Sequence, residues 1–250
     1  MTLKQFFQQH SRIALAFSGG VDSAYLLYAA AKYHADLKAY YVKTAFQPQF
    51  EYEDALKLAD QLHIPMETIH LDVLSDAAVS ANPSNRCYYC KRRIMSAIIH
   101  AASSDGYSVI IDGTNASDEI SDRPGYLALQ ELKILSPLRL CGLTKQEIRR
   151  LSEEAGLFTH NKPAYACLAT RIPTGTAITA ELLSRTERSE EFIKQLGFSD
   201  FRIRTKEDAA VIQLPESQFP LLLQHRETIW KRLKQDYHSV LLDLEVRNES

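Results

Sequence analysis

Six consecutive residues, Ser18-Gly-Gly-Val-Asp-Ser23, carry the clearest chemistry in the chain. Gly19 and Gly20 tolerate positive φ and let backbone N–H groups approach an anion closely. Ser18 and Ser23 add hydroxyl donors. Asp22 is an odd neighbour for an anion unless a divalent cation stands between them, so the loop reads as a pyrophosphate cradle with Mg²⁺. The loop is not a Walker A sequence, because it lacks the lysine that reaches the β- and γ-phosphates, and it does not have the Rossmann spacing. A second constellation is Arg86-Cys-Tyr-Tyr-Cys-Lys91, which presents Cys87 and Cys90 at the C-x₂-C spacing suited to one metal ion or cluster. The same spacing serves a zinc half-site or a redox pair. Zinc would need further ligands, and His160 is the only histidine close in sequence to a third cysteine, Cys167. Cys141 has no ligand partner at a useful spacing and reads as a small core residue.

The elements that must position these groups follow from hydrophobic periodicity. Ile13 to Phe17 is a short apolar run, as expected of a strand buried on both faces of a parallel sheet. The glycine loop follows it, and then the apolar-periodic stretch Ala24 to Tyr33, whose helix dipole points its positive end at the loop. Further strands are predicted over Leu37–Lys43, Met66–Leu71 and Tyr107–Ile111, with helices over Glu51–Leu62, Lys91–Ser103 (following the cysteine pair) and Thr144–Ala155. Thr144 and Glu147 have capping-box spacing, and Gly156 closes that helix. The alternation predicts an α/β, doubly wound parallel sheet over residues 1–158. The fourth strand runs into Asp112-Gly-Thr-Asn115, at the carboxyl end where open α/β sheets bind ligands. There Gly113, Thr114 and Asn115 can approach a nucleotide, with Asp118 helping to hold the metal; an Asx-type turn is the plainer alternative. The pattern then changes, and residues 159–250 read as a smaller α+β domain. It has a helix over Glu181–Leu196, two antiparallel strands over Phe201–Arg204 and Ala210–Leu214, a helical stripe over Pro220–Tyr237 and a last strand over Val240–Val246.

Composition narrows the class of protein. A 250-residue chain with 45% apolar and 24% charged residues has the make-up of a soluble globular protein and can build a core without disulfides. Its formal net charge of −2, with both signs dispersed, argues against a nucleic-acid-binding arm. No apolar run is long enough for a membrane span, and Met1 to Arg12 has no apolar core of a signal peptide. The expected location is the cytoplasm, where the four cysteines would stay reduced.

The Ser-Gly-Gly-Val-Asp-Ser loop resembles that of the PP-loop ATP pyrophosphatases, the superfamily of GMP synthetase, NAD synthetase, asparagine synthetase and the tRNA-thiolating enzymes. Two longer stretches are more specific. One runs from Asp112-Gly-Thr-Asn-Ala-Ser-Asp118 to Asp122-Arg-Pro-Gly125 and on through Ala128, Glu131 and Ser136-Pro-Leu138 to Lys145, Glu147, Ile148 and Arg149. The other is Lys162-Pro-Ala-Tyr-Ala-Cys-Leu-Ala-Thr-Arg-Ile-Pro-Thr-Gly175. From Phe17 to about Leu214 the chain resembles the LarE family, ATP-dependent sulfur transferases that help build the nickel-pincer nucleotide of lactate racemase.

The resemblance implies a reaction and a set of roles. ATP is cleaved to AMP and pyrophosphate. Each carboxylate of pyridinium-3,5-biscarboxylic acid mononucleotide becomes an acyl-adenylate, and a sulfur nucleophile displaces AMP to leave a thiocarboxylate. Ser18, Gly19, Gly20 and Ser23 would hold the phosphates, Asp22 would hold Mg²⁺, and Lys43 would lie near the adenine. Cys167 falls at the family's sulfur-donating position. With Cys87 and Cys90 it makes three thiolates, enough to hold a [4Fe–4S] cluster with one iron open to a labile sulfide. The alternative is sacrifice of Cys167, whose C–S bond breaks to leave dehydroalanine. A substrate with a phosphate and two carboxylates needs cations: Arg171 is placed for one, and Arg202 and Arg204 share a strand face as a phosphate pair, against the plainer reading of a solvated face. Glu190 lies where the family holds a metal ion, against the plainer reading of an ordinary exposed glutamate. The family's usual Arg-Ile-Glu-Val is Val211-Ile-Gln-Leu214 here, so Gln213 carries no charge. Family members suggest a homo-oligomer, a trimer or hexamer. The rivals are tRNA thiolation, an amide-forming ligase that would not need Cys167, and a nucleotide-binding redox sensor without catalysis.

Overall fold

The computed structural model describes residues 1–10, 12–119 and 124–247. The chain divides into two compact units, one of Met1–Val73 with Asn85–Lys162, the other of Leu74–Ser84 with Pro163–Ser250. In chain order the elements are α1 (Leu3–Gln9), β1 (Arg12–Ala16), α2 (Val21–Lys32), β2 (Asp36–Lys43), α3 (Gln49–Gln61), β3 (Met66–His70), α4 (Ala77–Ser80), α5 (Arg86–Ser104), β4 (Val109–Ile111), α6 (Pro124–Glu131), α7 (Pro137–Leu140) and α8 (Lys145–Glu154). A 3₁₀ turn at Leu168–Arg171 follows, then α9 (Ala180–Gln195), β5 (Arg202–Lys206), β6 (Ala209–Gln213), α10 (Phe219–Gln224), α11 (Arg226–Leu233) and β7 (Ser239–Leu242). Helix α4 belongs to the second unit.

The first unit is an α/β fold around a four-stranded sheet in the order β3-β2-β1-β4, every pair parallel. Period-2 alternation sends Ile13 and Leu15 into one core with α1, α2, α3 and Ile148 of α8, and Ala14 and Ala16 into the other with Met95, Ile98 and Ala102 of α5 and Leu129 of α6. Both faces are covered, which is why β1 reads as an unbroken apolar run. Each fully buried leucine or isoleucine, such as Ile13, Leu15, Leu26 and Leu27, contributes about 1.5–3 kcal/mol. The crossover direction reverses between β1 and β4, so their carboxyl ends open a crevice at the topological switch point.

The second unit has a three-stranded sheet in the order β5-β6-β7, with β5/β6 antiparallel and β6/β7 parallel. Its core is Ile193, Ile203, Ala210, Ile212, Leu214, Ile229 and Leu233. Leu74–Ser84 joins this unit through the backbone: Gly175 N donates to Asn82 O (2.9 Å) and Ile178 N to Ser80 O (2.7 Å).

Several elements depart from the sequence expectation. The polar first residues form α1, closed by a capping box between Thr2 and Gln5. Helix α5 begins at Arg86, so the cysteine pair lies inside its first turns instead of before it. The stripe over Pro220–Tyr237 is two helices broken at His225, and the last strand ends at Leu242. Of the Asp122-Arg-Pro-Gly motif, Asp122 and Arg123 lie outside the described residues. No described helix is long and apolar enough to cross a membrane.

Candidate active site

The glycine loop turns from β1 into α2 at the switch point. Gly19 holds φ +73°, and a Cβ there would lie 3.1 Å from Glu51 O and 3.2 Å from Ala55 Cβ, so both the torsion and the packing exclude a side chain. Gly20 caps α2, and the Ser23 hydroxyl ties the turn, accepting from Ser18 N (3.3 Å), donating to Gly20 O (3.1 Å) and meeting Ser18 Oγ at 3.0 Å. The segment leaving β4 comes against the same turn. A Cβ on Gly113 would stand 3.0 Å from Ser23 N and 3.4 Å from Asp22 Cβ. Gly113, the first predicted position on the β4 side, is thus beside the predicted phosphate loop.

That second segment is braced from within. Asp112 accepts from Thr114 Oγ1 (2.6 Å), Thr114 N (3.3 Å) and Ser136 Oγ (2.7 Å). Asp118 accepts from Asn115 N (2.9 Å), and Arg139 donates to the carbonyls of Asn115 (3.2 Å) and Asp118 (2.9 Å). The Asx turn weighed from sequence is therefore present, and it aims Asn115 Nδ2 at Asp22 Oδ1 (3.4 Å). On the other oxygen of Asp22 sits Lys145 Nζ at 2.6 Å, a residue the sequence reading placed in no role. Burial pushes the Asp22 carboxyl above its usual range, outweighing the pull of Lys145, and Asp118 adds to the rise. The Asp22 carboxylate itself supplies hard oxygens of the kind Mg²⁺ takes alongside phosphate oxygens, and one of them already carries a cation, the Lys145 ammonium. Lys43, expected near the adenine, ends β2 and donates to Gln47 O (2.6 Å).

Cys87 and Cys90 lie three residues apart on one face of α5, Cys87 exposed and Cys90 half-buried. A Cβ at Gly125 would be 4.0 Å from Cys87 Cβ, so α6 starts directly against this face. Cys141 is half-buried against the first core, and burial raises its thiol pKa.

In the second unit Cys167 caps the 3₁₀ turn Leu168–Arg171, its carbonyl accepting from Thr170 N (2.9 Å) and Thr170 Oγ1 (2.9 Å). Arg171 and Glu190 were expected to face a substrate anion and a metal ion; the structure commits each to the other. Arg171 is 1% exposed and forms a two-point pair with Glu190 (2.7 and 3.1 Å) while Nη1 donates to Ala166 O (2.9 Å) and Thr170 Oγ1 (2.8 Å). Glu190 also accepts from Tyr165 Oη (2.5 Å) and Ile203 N (3.0 Å), which fills its lone pairs. Burial opposes the charge on Arg171, but the bond and field of Glu190 prevail and raise its pKa. The pair fixes the backbone on both sides of Cys167.

Arg202 and Arg204 do share a face of β5, opposite Gln213 and Val211. Burial and the neighbouring guanidiniums of Arg247, Arg171 and Arg204 push Arg202 down to about 10. Such a crowd of cations gains from an anion. Gln213 accepts from Arg204 Nε (3.2 Å) and donates to Asp243 Oδ2 (3.2 Å), so its neutral amide bridges a cation to an anion.

The family model described as asparagine synthase matches residues 4–172, more than half of the chain. An uncharacterized protein of Synechocystis is 36% identical over 89% of this chain and 83% of its own length. The pyridinium-3,5-bisthiocarboxylic acid mononucleotide synthase of Lactiplantibacillus plantarum is 30% identical over 97% of this chain and 89% of its own. An uncharacterized protein of Methanocaldococcus jannaschii is 28% identical over 98% and 93%. Near-full-length likeness to that synthase, with a PP-loop at the switch point of a parallel sheet, leads to one assignment: the chain belongs to the asparagine synthase family of PP-loop proteins and, within it, to the LarE family.

Proposed function

We propose that the protein is an ATP-dependent sulfur transferase that converts the carboxylates of pyridinium-3,5-biscarboxylic acid mononucleotide to thiocarboxylates. The observation that carries this reading is the approach of Gly113 and Asn115 to Ser23 and Asp22 at the carboxyl ends of β4 and β1, which supports a nucleotide site of Ser18, Gly19, Gly20, Asp22 and Ser23 with Gly113, Thr114, Asn115 and Asp118. Backbone N–H groups of the loop and the start of α2 bind the β- and γ-phosphates. Asp22, aided by Asp118, would hold Mg²⁺, which when bound would offset the charge of the departing pyrophosphate. Lys43 and the end of β2 border the adenine. A substrate carboxylate oxygen attacks the α-phosphorus, the bond from that phosphorus to the bridging oxygen breaks, and pyrophosphate leaves with the electron pair. The acyl-adenylate then loses AMP to a sulfur nucleophile.

Arg202 and Arg204 take the phosphate of the substrate, and Arg171 and Glu190 act as positioning residues for the turn that carries Cys167. Cys87, Cys90 and Cys167 are the thiolates that would hold a [4Fe–4S] cluster, which when bound supplies a labile sulfide; residue type and C-x₂-C spacing support this finer reading. The ATP-cleaving residues would form a domain of about residues 1–158 and the sulfur-transfer residues one of about 159–250. The working form is a cytoplasmic homo-oligomer, a trimer or hexamer, acting on a small nucleotide and not on RNA, in keeping with the net charge of −2.

The test begins with anaerobic protein, ATP, the biscarboxylic nucleotide and sulfide. AMP and pyrophosphate should appear only with the carboxylate substrate; ADP and phosphate instead would overturn the adenylation. Iron and sulfide should be found with the protein and should be lost in Cys87→Ala, which still binds ATP. Intact mass after turnover separates the sulfur sources: a loss of about 34 Da per chain would mean that Cys167 had become dehydroalanine.

A further inference from the structure

The geometry points to Lys145 as the phosphate-contacting lysine of this loop, held on Asp22 while the site is without nucleotide and passed to the ATP phosphates when a divalent cation takes Asp22. The inference rests on the nucleotide site proposed above. The loop Ser18–Ser23 contains no cation, although a triphosphate that loses pyrophosphate needs one beside the charge that builds on the leaving oxygens. Lys145 enters from 123 residues further along the chain and stands 2.6 Å from Asp22.

Its backbone is fixed for that task. Lys145 is the first residue of α8, behind Thr144, whose hydroxyl and N–H close a capping box with Glu147 (2.7, 2.9 and 3.3 Å). Its own N–H donates to Ser117 Oγ (3.0 Å), and Ala116 N donates to Leu143 O (2.8 Å). The turn that presents Asn115 to Asp22 and the start of α8 are thus one braced piece, while the lysine side chain remains about one-third exposed. Three neighbouring cations among the described residues are engaged elsewhere. Lys162 is clamped between Glu51 (2.9 Å) and Asp54 (2.7 Å), and Arg139 and Arg149 grip backbone carbonyls. Lys145 differs in that its partner is the very carboxylate a metal ion would claim. No proton moves in the exchange: Mg²⁺ replaces an ammonium on Asp22, and the ammonium turns its N–H groups to the phosphate oxygens. Lysine serves as a point charge for such oxygens.

Calorimetric titration of the full chain with ATP and with AMP, both with Mg²⁺, tests this, beside titration with Mn²⁺ alone followed by its electron paramagnetic resonance signal. Lys145→Met should weaken ATP at least tenfold and leave AMP within twofold, because AMP lacks the departing phosphates. The same variant should bind Mn²⁺ alone several-fold more tightly, because the competing ammonium is gone. Lys145→Arg, which keeps the cation, should bind ATP within about threefold of wild type. ATP affinity unchanged in Lys145→Met, or ATP and AMP weakened by the same factor, would reduce Lys145 to a structural partner of Asp22 and overturn the inference. Unchanged Mn²⁺ affinity would overturn the exchange on Asp22. Failure of the wild-type chain to bind ATP at all would sink the nucleotide-site reading itself.

Discussion

Replacing Glu190 by glutamine separates the two roles that have been given to this residue. The side chain keeps its shape and loses its charge, leaving the Arg171 guanidinium buried with no counter-ion. Arg171 has 0% of its side chain exposed, and the pair is made through two contacts at 2.7 and 3.1 Å. Breaking one side of such a pair costs about 3–5 kcal/mol, because the remaining charge cannot reach water. For a chain of this size each kcal/mol moves the melting midpoint by roughly 2–4 °C, so Glu190→Gln should melt roughly 6–20 °C below wild type. Trp230, the sole tryptophan, lies on α11 of the same unit and reports its unfolding in urea. The double variant Arg171→Met/Glu190→Met should recover most of the loss, since apolar groups of similar volume remove both charges together. If Glu190 were instead a metal ligand on an otherwise tolerant surface, Glu190→Gln would unfold within about 1 kcal/mol of wild type. That result would refute the buried-pair account.

Gly113→Ala places a Cβ 3.0 Å from Ser23 N, an overpacking that should cost about 1–3 kcal/mol by urea titration and weaken ATP binding in parallel. Inorganic phosphate should stabilise the protein through the crowded guanidiniums around Arg202, by about 2.7 kcal/mol at one hundred times its Kd; Arg202→Met should melt higher without phosphate and gain nothing from it. Asp105 is held below the ordinary carboxyl range by hydrogen bonds from Lys38 (2.5 Å) and Tyr40 (2.6 Å). Its contribution should therefore be complete above about pH 4 and be lost as pH falls through the lowered value, and Lys38→Met should flatten that acid limb of the denaturation profile.

What could be read from the sequence was local. The apolar run Ile13–Phe17, the glycines after it and the capping box of Thr144 with Glu147 each announce an element through neighbours a few residues away, and each lies where its pattern says. The start of α5 ahead of the cysteine pair is not visible in the sequence, because Arg86 to Cys90 has no strong start signal and Asn85 makes no side-chain cap. The pairings that the sequence does not show are those between residues far apart along the chain. Nothing in the string connects Lys145 with Asp22. Arg171 and Glu190 each suggest a ligand when read alone, and only the packing of α9 on the 3₁₀ turn reveals that they satisfy one another.

The short segment Leu74–Ser84 has a consequence for how the protein is made. It leaves the ribosome about ninety residues before Ile172 and Pro173, the carbonyls that receive the Asn82 amide. At roughly 5–20 residues per second that is a wait of about 5–18 s. Through that interval the rest of its unit, from Pro163 onward, does not yet exist, although Val79 ends fully buried. Nascent chains stalled between residues 85 and 170 should therefore be open to proteases in this stretch, and a fragment starting at Pro163 would lack a piece of its own unit.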